Sequence, residues 1–283
     1  MDLSQPRVMG ILNVTPDSFY AGSRTMSEAD IEGRARQLVA EGADFIDVGA
    51  YSSRPGADEV SAEEEMSRLR RALTVVTRAV PDVPLSVDTF RADVARMCVE
   101  EYGVSIVNDI SGGAMDSGMF STVADLHVPY VLMHMQGTPR DMQVGPHYDD
   151  VVVDVMTYFA HRVDSLRQLG VCDIILDPGF GFGKTLEHNY RLLSGLHEFR
   201  VFGLPLLIGV SRKSMIYNLL QDAPEQALNG TTVVNTIGLM QGADILRVHD
   251  VRAAVEAVKV VGATFPGCSG VNSSELHFSS HSH

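Results

Sequence analysis

Polar side chains recur along this chain at the ends of short apolar runs. Asn13 closes Val8-Met9-Gly10-Ile11-Leu12, Asp88 closes Leu85-Ser86-Val87, Asn108 follows Ser105-Ile106-Val107, and Asp177 closes Ile174-Ile175-Leu176. Ser53 with Arg54, Met133 with His134, Ser211 with Lys213, and Arg247 with His249 complete the series. One Asp or Asn in such a place ordinarily caps the next helix or turn. Eight such ends in one chain exceed what capping needs and point to a shared site. The set divides chemically. Asp88, Asn108 and Asp177 offer acceptors and an amide, which suit a flat nitrogen heterocycle with N–H donors and a carbonyl. Arg54, Lys213, Arg247 and His249 are donors or cations, which suit phosphate and carboxylate oxygens.

Two simpler readings of the glycine-rich stretch fail. Gly179-Phe180-Gly181-Phe182-Gly183-Lys184-Thr185 ends like a phosphate-binding P-loop, but Pro178 stands where the first glycine belongs, and GxGxG is not the dinucleotide spacing. His127, His134 and His147 lack the spacing of metal ligands, so His134 reads as hydrogen-bonded structure. The 13 methionines are core filler. Met133 is the exception, placed at a strand end to face a planar ligand.

The elements that must position these residues alternate regularly. Strands are expected at Val8 to Asn13, Phe45 to Gly49, Leu85 to Val87, Ser105 to Val107, Tyr130 to His134, Ile174 to Leu176, Leu206 to Val210 and Ile245 to His249. Helices are expected over Glu28 to Ala40, about Ser61 to Val76, Ala92 to Glu101, Met119 to Leu126, Val151 to Leu169, a short stretch after Ser211-Arg212-Lys213, about Glu225 to Gln241, and Val251 to Val261. Ser27 and Asp250 are candidate caps, Ser61 with Glu64 a capping box, and Gly42 a stop signal. Eight strands separated by helices predict an α/β protein with a single (β/α)8 TIM barrel, because parallel strands need helical crossovers and eight of them close on themselves. An open doubly wound sheet is the competing architecture. In a barrel the polar strand ends converge on one mouth.

The totals agree with one barrel domain over residues 1–265, followed by a tail, 266–283, with no helical period and no assigned function. With 283 residues, 45% hydrophobic and 20% charged, the chain can bury a large core. A formal net charge of −14 argues against a nucleic-acid or acidic-membrane partner. Cys98, Cys172 and Cys268 are widely spaced without a CxxC, which argues against a disulfide framework or structural zinc site and fits a reducing cytoplasm. The first strand leaves no room for a signal peptide, and no apolar run is long enough to span a bilayer. A cytoplasmic location is therefore expected.

Longer motifs carry a family resemblance. Met9-Gly10-Ile11-Leu12-Asn13-Val14-Thr15-Pro16-Asp17-Ser18-Phe19 and Asp177-Pro178-Gly179-Phe180-Gly181-Phe182-Gly183-Lys184 resemble the two long signatures of the dihydropteroate synthases. Ser52 to Gly56, Val87-Asp88-Thr89, Asn108-Asp109, Leu132-Met133-His134, Ser211-Arg212-Lys213 and Arg247-Val248-His249-Asp250 resemble its remaining motifs in order. The resemblance implies condensation of 6-hydroxymethyl-7,8-dihydropterin diphosphate with p-aminobenzoate, giving 7,8-dihydropteroate and pyrophosphate in folate synthesis. By resemblance, Asp88, Asn108, Asp177 and Lys213 hold the pterin and serve catalysis, with Met133 against the ring. Asn13 helps place a Mg²⁺ ion on the diphosphate, which Arg54, Arg247 and His249 hold. Phe19, Ser53, Pro55, Phe182, Ser211 and Lys213 shape the p-aminobenzoate site, and a homodimer is implied.

The chain departs from the family where Ala50-Tyr51-Ser52-Ser53 stands before Arg54 in place of the usual Gly-Glu-Ser-Thr, and where Tyr20-Ala21-Gly22-Ser23 replaces Ser-Asp-Gly-Gly. Two rivals share parts of the pattern: a pterin-binding methyltransferase serving a corrinoid protein, and a non-catalytic pterin binder. The first lacks the need for anion-binding cations at three strand ends, and the second has no need to keep every polar strand end.

Overall fold

The computed structural model describes residues 3–15, 26–51 and 60–265. The 266–283 tail lies outside that set. Its strands are β1 (Arg7–Asn13), β2 (Phe45–Gly49), β3 (Leu85–Asp88), β4 (Ile106–Asp109), β5 (Tyr130–Met133), β6 (Ile174–Asp177), β7 (Leu207–Ile208) and β8 (Ile245–Val248). They form one eight-stranded sheet in the order β6-β5-β4-β3-β2-β1-β8-β7. A parallel bridge between Leu176 and Leu206 joins the two ends, so the sheet closes and the open doubly wound alternative falls. The Leu176 N–H donates to the Pro205 carbonyl at 2.8 Å across that seam.

Nine α-helices among the described residues run outside the barrel: α1 (Glu28–Ala40), α2 (Ala62–Ala79), α3 (Ala92–Tyr102), α4 (Met119–Leu126), α5 (Val151–Gln168), α6 (Leu186–Ser194), α7 (Ser214–Leu220), α8 (Leu228–Met240) and α9 (Val251–Thr264). Ser27 caps α1 as expected, accepting the Asp30 N–H at 3.1 Å while the Asp30 carboxylate accepts the Ser27 N–H at 3.0 Å. The Ser61 box is only half made. Ser61 accepts the Glu64 N–H at 3.2 Å, but the Glu64 carboxylate turns to Arg68 Nε at 2.8 Å. Asp250 stands at the start of α9 without capping it, because its carboxylate is held by Arg212.

Three further elements differ from the sequence expectation. α6 went unread, since only Leu192 and Leu193 make its buried apolar stripe, and its start is set by Thr185 accepting the His188 N–H at 3.1 Å. α8 begins later than Glu225, after a 3₁₀ turn over Pro224–Gln226. β7 is two residues long, because the chain leaves the ladder at Gly209 and turns back at Val210, whose carbonyl accepts the Lys213 N–H at 3.2 Å.

The core has two parts. Between sheet and helices, residues such as Leu12, Val48, Leu73, Val107, Phe159 and Leu176 are fully or almost fully buried. Inside the barrel, Leu3, Met9, Phe45, Ile106, Val131, Ile175, Leu207 and Ile245 pack into an apolar floor. Each such side chain contributes about 1.5–3 kcal/mol by leaving water. Successive side chains alternate across a strand, so residues two apart share a face. Two steps from Phe45, Ile106, Val131, Ile175 and Ile245 stand Asp47, Asn108, Met133, Asp177 and Arg247. The floor and the polar mouth are thus successive layers of the same strands.

Candidate active site

A cavity of about 750 Å³ opens at the carboxyl ends of the strands. Asn13, Asp88, Asn108, Met133, Asp177, Phe182, Ser211, Lys213, Arg247 and His249 all line it, so every site residue expected from sequence that falls within the described set meets there. Phe19, Ser53, Arg54 and Pro55 lie outside the described residues.

On the ring-reading side, Asp177 ends β6 with its Oδ1 accepting the Gly179 N–H at 2.8 Å. Gly179 has φ +71°, and a side chain there would overlap the His134 carbonyl, so this close turn requires glycine. Burial pushes the Asp177 carboxyl upward, with the Lys213 charge opposing it. Lys213 Nζ donates to the Phe180 carbonyl at 2.6 Å and lies 4.4 Å from the centre of the Phe182 ring, a cation–π contact. Burial lowers the Lys213 ammonium to about 8, against the pull of Asp177.

Across the cavity, one guanidinium serves two carboxylates. Arg247 Nε donates to Asp47 Oδ2 at 2.6 Å, and Nη2 donates to Asp88 Oδ2 at 2.6 Å. Asn108 Nδ2 donates to the same Asp47 oxygen at 2.9 Å. Burial raises Asp88 to about 7, with Arg247 opposing and Asp47 adding like-charge repulsion. Burial disfavours the Arg247 charge too, yet Asp47 and Asp88 together push it further above its ordinary value. Gly49 makes the crowding possible, since a Cβ there would sit 3.2 Å from Asn13 Oδ1 and 3.3 Å from Asp88 Cβ.

Asp47 is the chief residue that sequence reading missed. It is fully buried in the middle of β2, and its signal was a lone carboxylate inside the apolar run Phe45-Ile46-Asp47-Val48. Ser211 faces His249, its Oγ accepting the His249 N–H at 3.2 Å and lying 3.0 Å from Nδ1. Burial lowers the His249 imidazole to about 4, assisted by the Arg247 charge. Tyr51 and Gln143 from loops and Ser214 and Tyr217 from α7 also line the cavity, and none of them closes an apolar run.

The glycine-rich loop is held from beneath. Lys184 is buried, and its Nζ donates to the Gly179 carbonyl at 2.9 Å and the Phe182 carbonyl at 3.1 Å. It also lies 2.9 Å from His134 Nδ1. Burial, together with the Lys184 charge, drops His134 to about 2, so the ring is neutral and its Nδ1 accepts. His134 is structural, as expected, and so is the lysine that superficially resembled a P-loop residue.

The residues at 9–249 match the family model described as pterin binding enzyme. Over 266 residues the chain is 47% identical to the dihydropteroate synthase of Escherichia coli strain K12, covering 93% of each. The chain belongs to the dihydropteroate synthase family. A crystal structure of the Yersinia pestis dihydropteroate synthase with a sulfonamide drug superposes with a TM-score of 0.88 at 44% identity, covering 93% of this chain and 96% of that one. The Xanthomonas albilineans dihydropteroate synthase with 4-aminobenzoic acid gives 0.83 at 41% identity, covering 93% and 94%. Dihydropteroate synthases are enzymes, and membership makes this chain a transferase of pterins. No helix among the described residues is long and apolar enough to cross a membrane.

Proposed function

We propose that this cavity condenses 6-hydroxymethyl-7,8-dihydropterin diphosphate with p-aminobenzoate by breaking the C–O bond first. The observation that carries the reading is the division of one cavity into a carboxylate and amide side, Asp88, Asn108 and Asp177, and an opposite side of two cations, Lys213 and Arg247, with the neutral His249 imidazole beside them. The pterin presents N–H donors to Asp88 and Asp177 and an acceptor to Asn108 and Lys213, with Met133 beneath the ring. Loss of diphosphate leaves a methylene cation conjugated with the ring, which the Asp88 and Asp177 carboxylates stabilise. Arg247 and His249 hold the departing diphosphate. The aromatic amine then forms the C–N bond and releases its proton to water. Phe182 and Lys213 border the space for p-aminobenzoate. No side-chain nucleophile is needed, since fixed charges aimed at developing charge supply the acceleration.

Mg²⁺ belongs to the same proposal. No group of three His, Cys, Asp or Glu among the described residues is arranged to hold a metal. The donor set fits an ion carried mostly by diphosphate and water, with Asn13 adding one hard amide oxygen beside Asp88. When bound, the ion neutralises charge on the leaving diphosphate.

A homodimer in the cytoplasm completes the reading. On α8, Val233, Ile237 and Met240 follow helical spacing and are 50%, 38% and 56% exposed, an apolar stripe suited to a two-fold contact. Sedimentation should show a dimer that Ile237→Glu weakens, whereas a monomeric wild type would refute it.

The reaction is tested by pyrophosphate release from the dihydropterin diphosphate and Mg²⁺, with and without p-aminobenzoate, followed by product identification. Release coupled to dihydropteroate is expected. Pterin binding without release would sink the reading in favour of a methyltransferase or a simple binder.

A further inference from the structure

The turn that delivers Lys213 contains a left-handed residue with a long side chain. The Lys213 N–H donates to the Val210 carbonyl at 3.2 Å, closing a four-residue turn whose third position is Arg212. Arg212 has φ +54°, a conformation that glycine or asparagine ordinarily supplies. An arginine kept there against the steric penalty points to a use for its side chain.

That use is not anion binding, because the guanidinium is occupied by protein. Nε and Nη2 donate to the two Asp250 oxygens at 2.8 and 2.9 Å, a bidentate fork. Nη1 donates to the Glu225 carbonyl at 2.9 Å and the Pro224 carbonyl at 3.2 Å. The Arg212 N–H donates to Thr231 Oγ1 at 3.0 Å. Both ends of this clamp abut cavity residues, since Arg212 sits between Ser211 and Lys213, and Asp250 follows His249. A second link runs beside it through Ser211 and His249. Arg34 Nη2 fixes the His249 carbonyl at 2.6 Å.

We infer that the Arg212–Asp250 ion pair is a positioning device that locks the turn after β7 to the segment after β8, and so sets Lys213 and His249 relative to each other across the cavity. Lys213 depends on that placement for its contacts with the Phe180 carbonyl and the Phe182 ring. The inference rests on the synthase reading for its kinetic consequences.

Arg212→Gly separates the possibilities, because it removes the clamp and the left-handed penalty together. An arginine with only a folding role predicts kinetics that change no more than stability does. The positioning device predicts at least a tenfold fall in kcat/KM, mainly in kcat, with the melting temperature unchanged or raised. Asp250→Asn should lose a similar factor, the double variant no more than either single one, and Arg212→Lys should recover part of the activity. Wild-type kinetics in Arg212→Gly, additive losses, or a loss tracking melting temperature would overturn the device. If the wild-type protein forms no dihydropteroate, the synthase reading fails, and the clamp is judged by hydrogen exchange of the Lys213 amide. Arg212→Gly should then speed that exchange at least tenfold, and unchanged protection would overturn the clamp.

Discussion

The lower and upper halves of the barrel interior are built from the same strands and do opposite work. Below, Met9, Phe45, Ile106, Val131, Ile175, Leu207 and Ile245 exclude water and demand nothing electrostatic of one another. Two residues further along their strands stand Asp47, Asn108, Asp177 and Arg247, and Asp88 at the end of β3 and Lys213 from the turn after β7 join them, so three carboxylates, an amide and two cations share one mouth. Asp47 Oδ1 lacks any hydrogen-bond partner there, so the layer is not arranged for stability alone. Buried charge of this kind is costly unless it is paired, and here one guanidinium must satisfy two carboxylates. The floor stabilises the closed sheet, and that stability lets the mouth keep charges poised for a ligand.

A change at the mouth should remove function and leave the fold intact. Asp177→Asn should lower turnover about 10³-fold, roughly 4 kcal/mol of transition-state stabilisation, while the thermal melt stays near that of the wild type. Lys213→Ala should behave similarly in steady-state assays. The floor should respond the other way. Ile175→Ala opens a cavity and should cost about 3 kcal/mol in denaturant unfolding, with kcat per folded molecule nearly unchanged.

Lys184→Met lies between the two halves. It strands the Gly179 and Phe182 carbonyls and should cost about 2 kcal/mol in stability together with a modest rise in KM.

Smaller effects come from titration. The ionised form of Asp88 is lost as pH falls through about 7, and the charged form of Lys213 is lost as pH rises through about 8. The profile of kcat/KM should therefore be a narrow bell with limbs near those values, and a flat profile from pH 6 to 9 would remove both residues from the rate-determining ionisations. Asp47→Asn removes a like charge that raises Asp88, so the acid limb should move to lower pH. An acid limb that stays in place in that variant would break the link between the two carboxylates.

Much of this arrangement was legible in the chain. Barrel closure followed from the alternation of apolar runs with helical patterns, and the mouth from polar residues at the run ends. Asp109 shows why single residues deceive. It adjoins Asn108, yet it points away from the cavity and accepts from Tyr130 Oη at 2.7 Å and Ser111 N at 2.7 Å. Alternation of side chains decides between such neighbours once the register is fixed, and register is a tertiary property. Asp47 was missed because a strand-end rule finds rims and not the middle of a strand. Asp250 looks like a cap because local capping is visible in sequence, whereas a pairing with Arg212, 38 residues away, is not. The apolar run at Leu206 to Val210 is longer than β7 because Gly209 and Val210 look apolar while serving a turn.

The most direct measurement compares two variants on one strand, Asp177→Asn and Ile175→Ala, for dihydropteroate formation and denaturant unfolding side by side. The account predicts that the first loses activity by about three orders of magnitude at wild-type stability, and that the second loses about 3 kcal/mol of stability at near wild-type turnover. Equal effects of both substitutions on both properties would contradict the division of the barrel into a stabilising floor and a catalytic mouth.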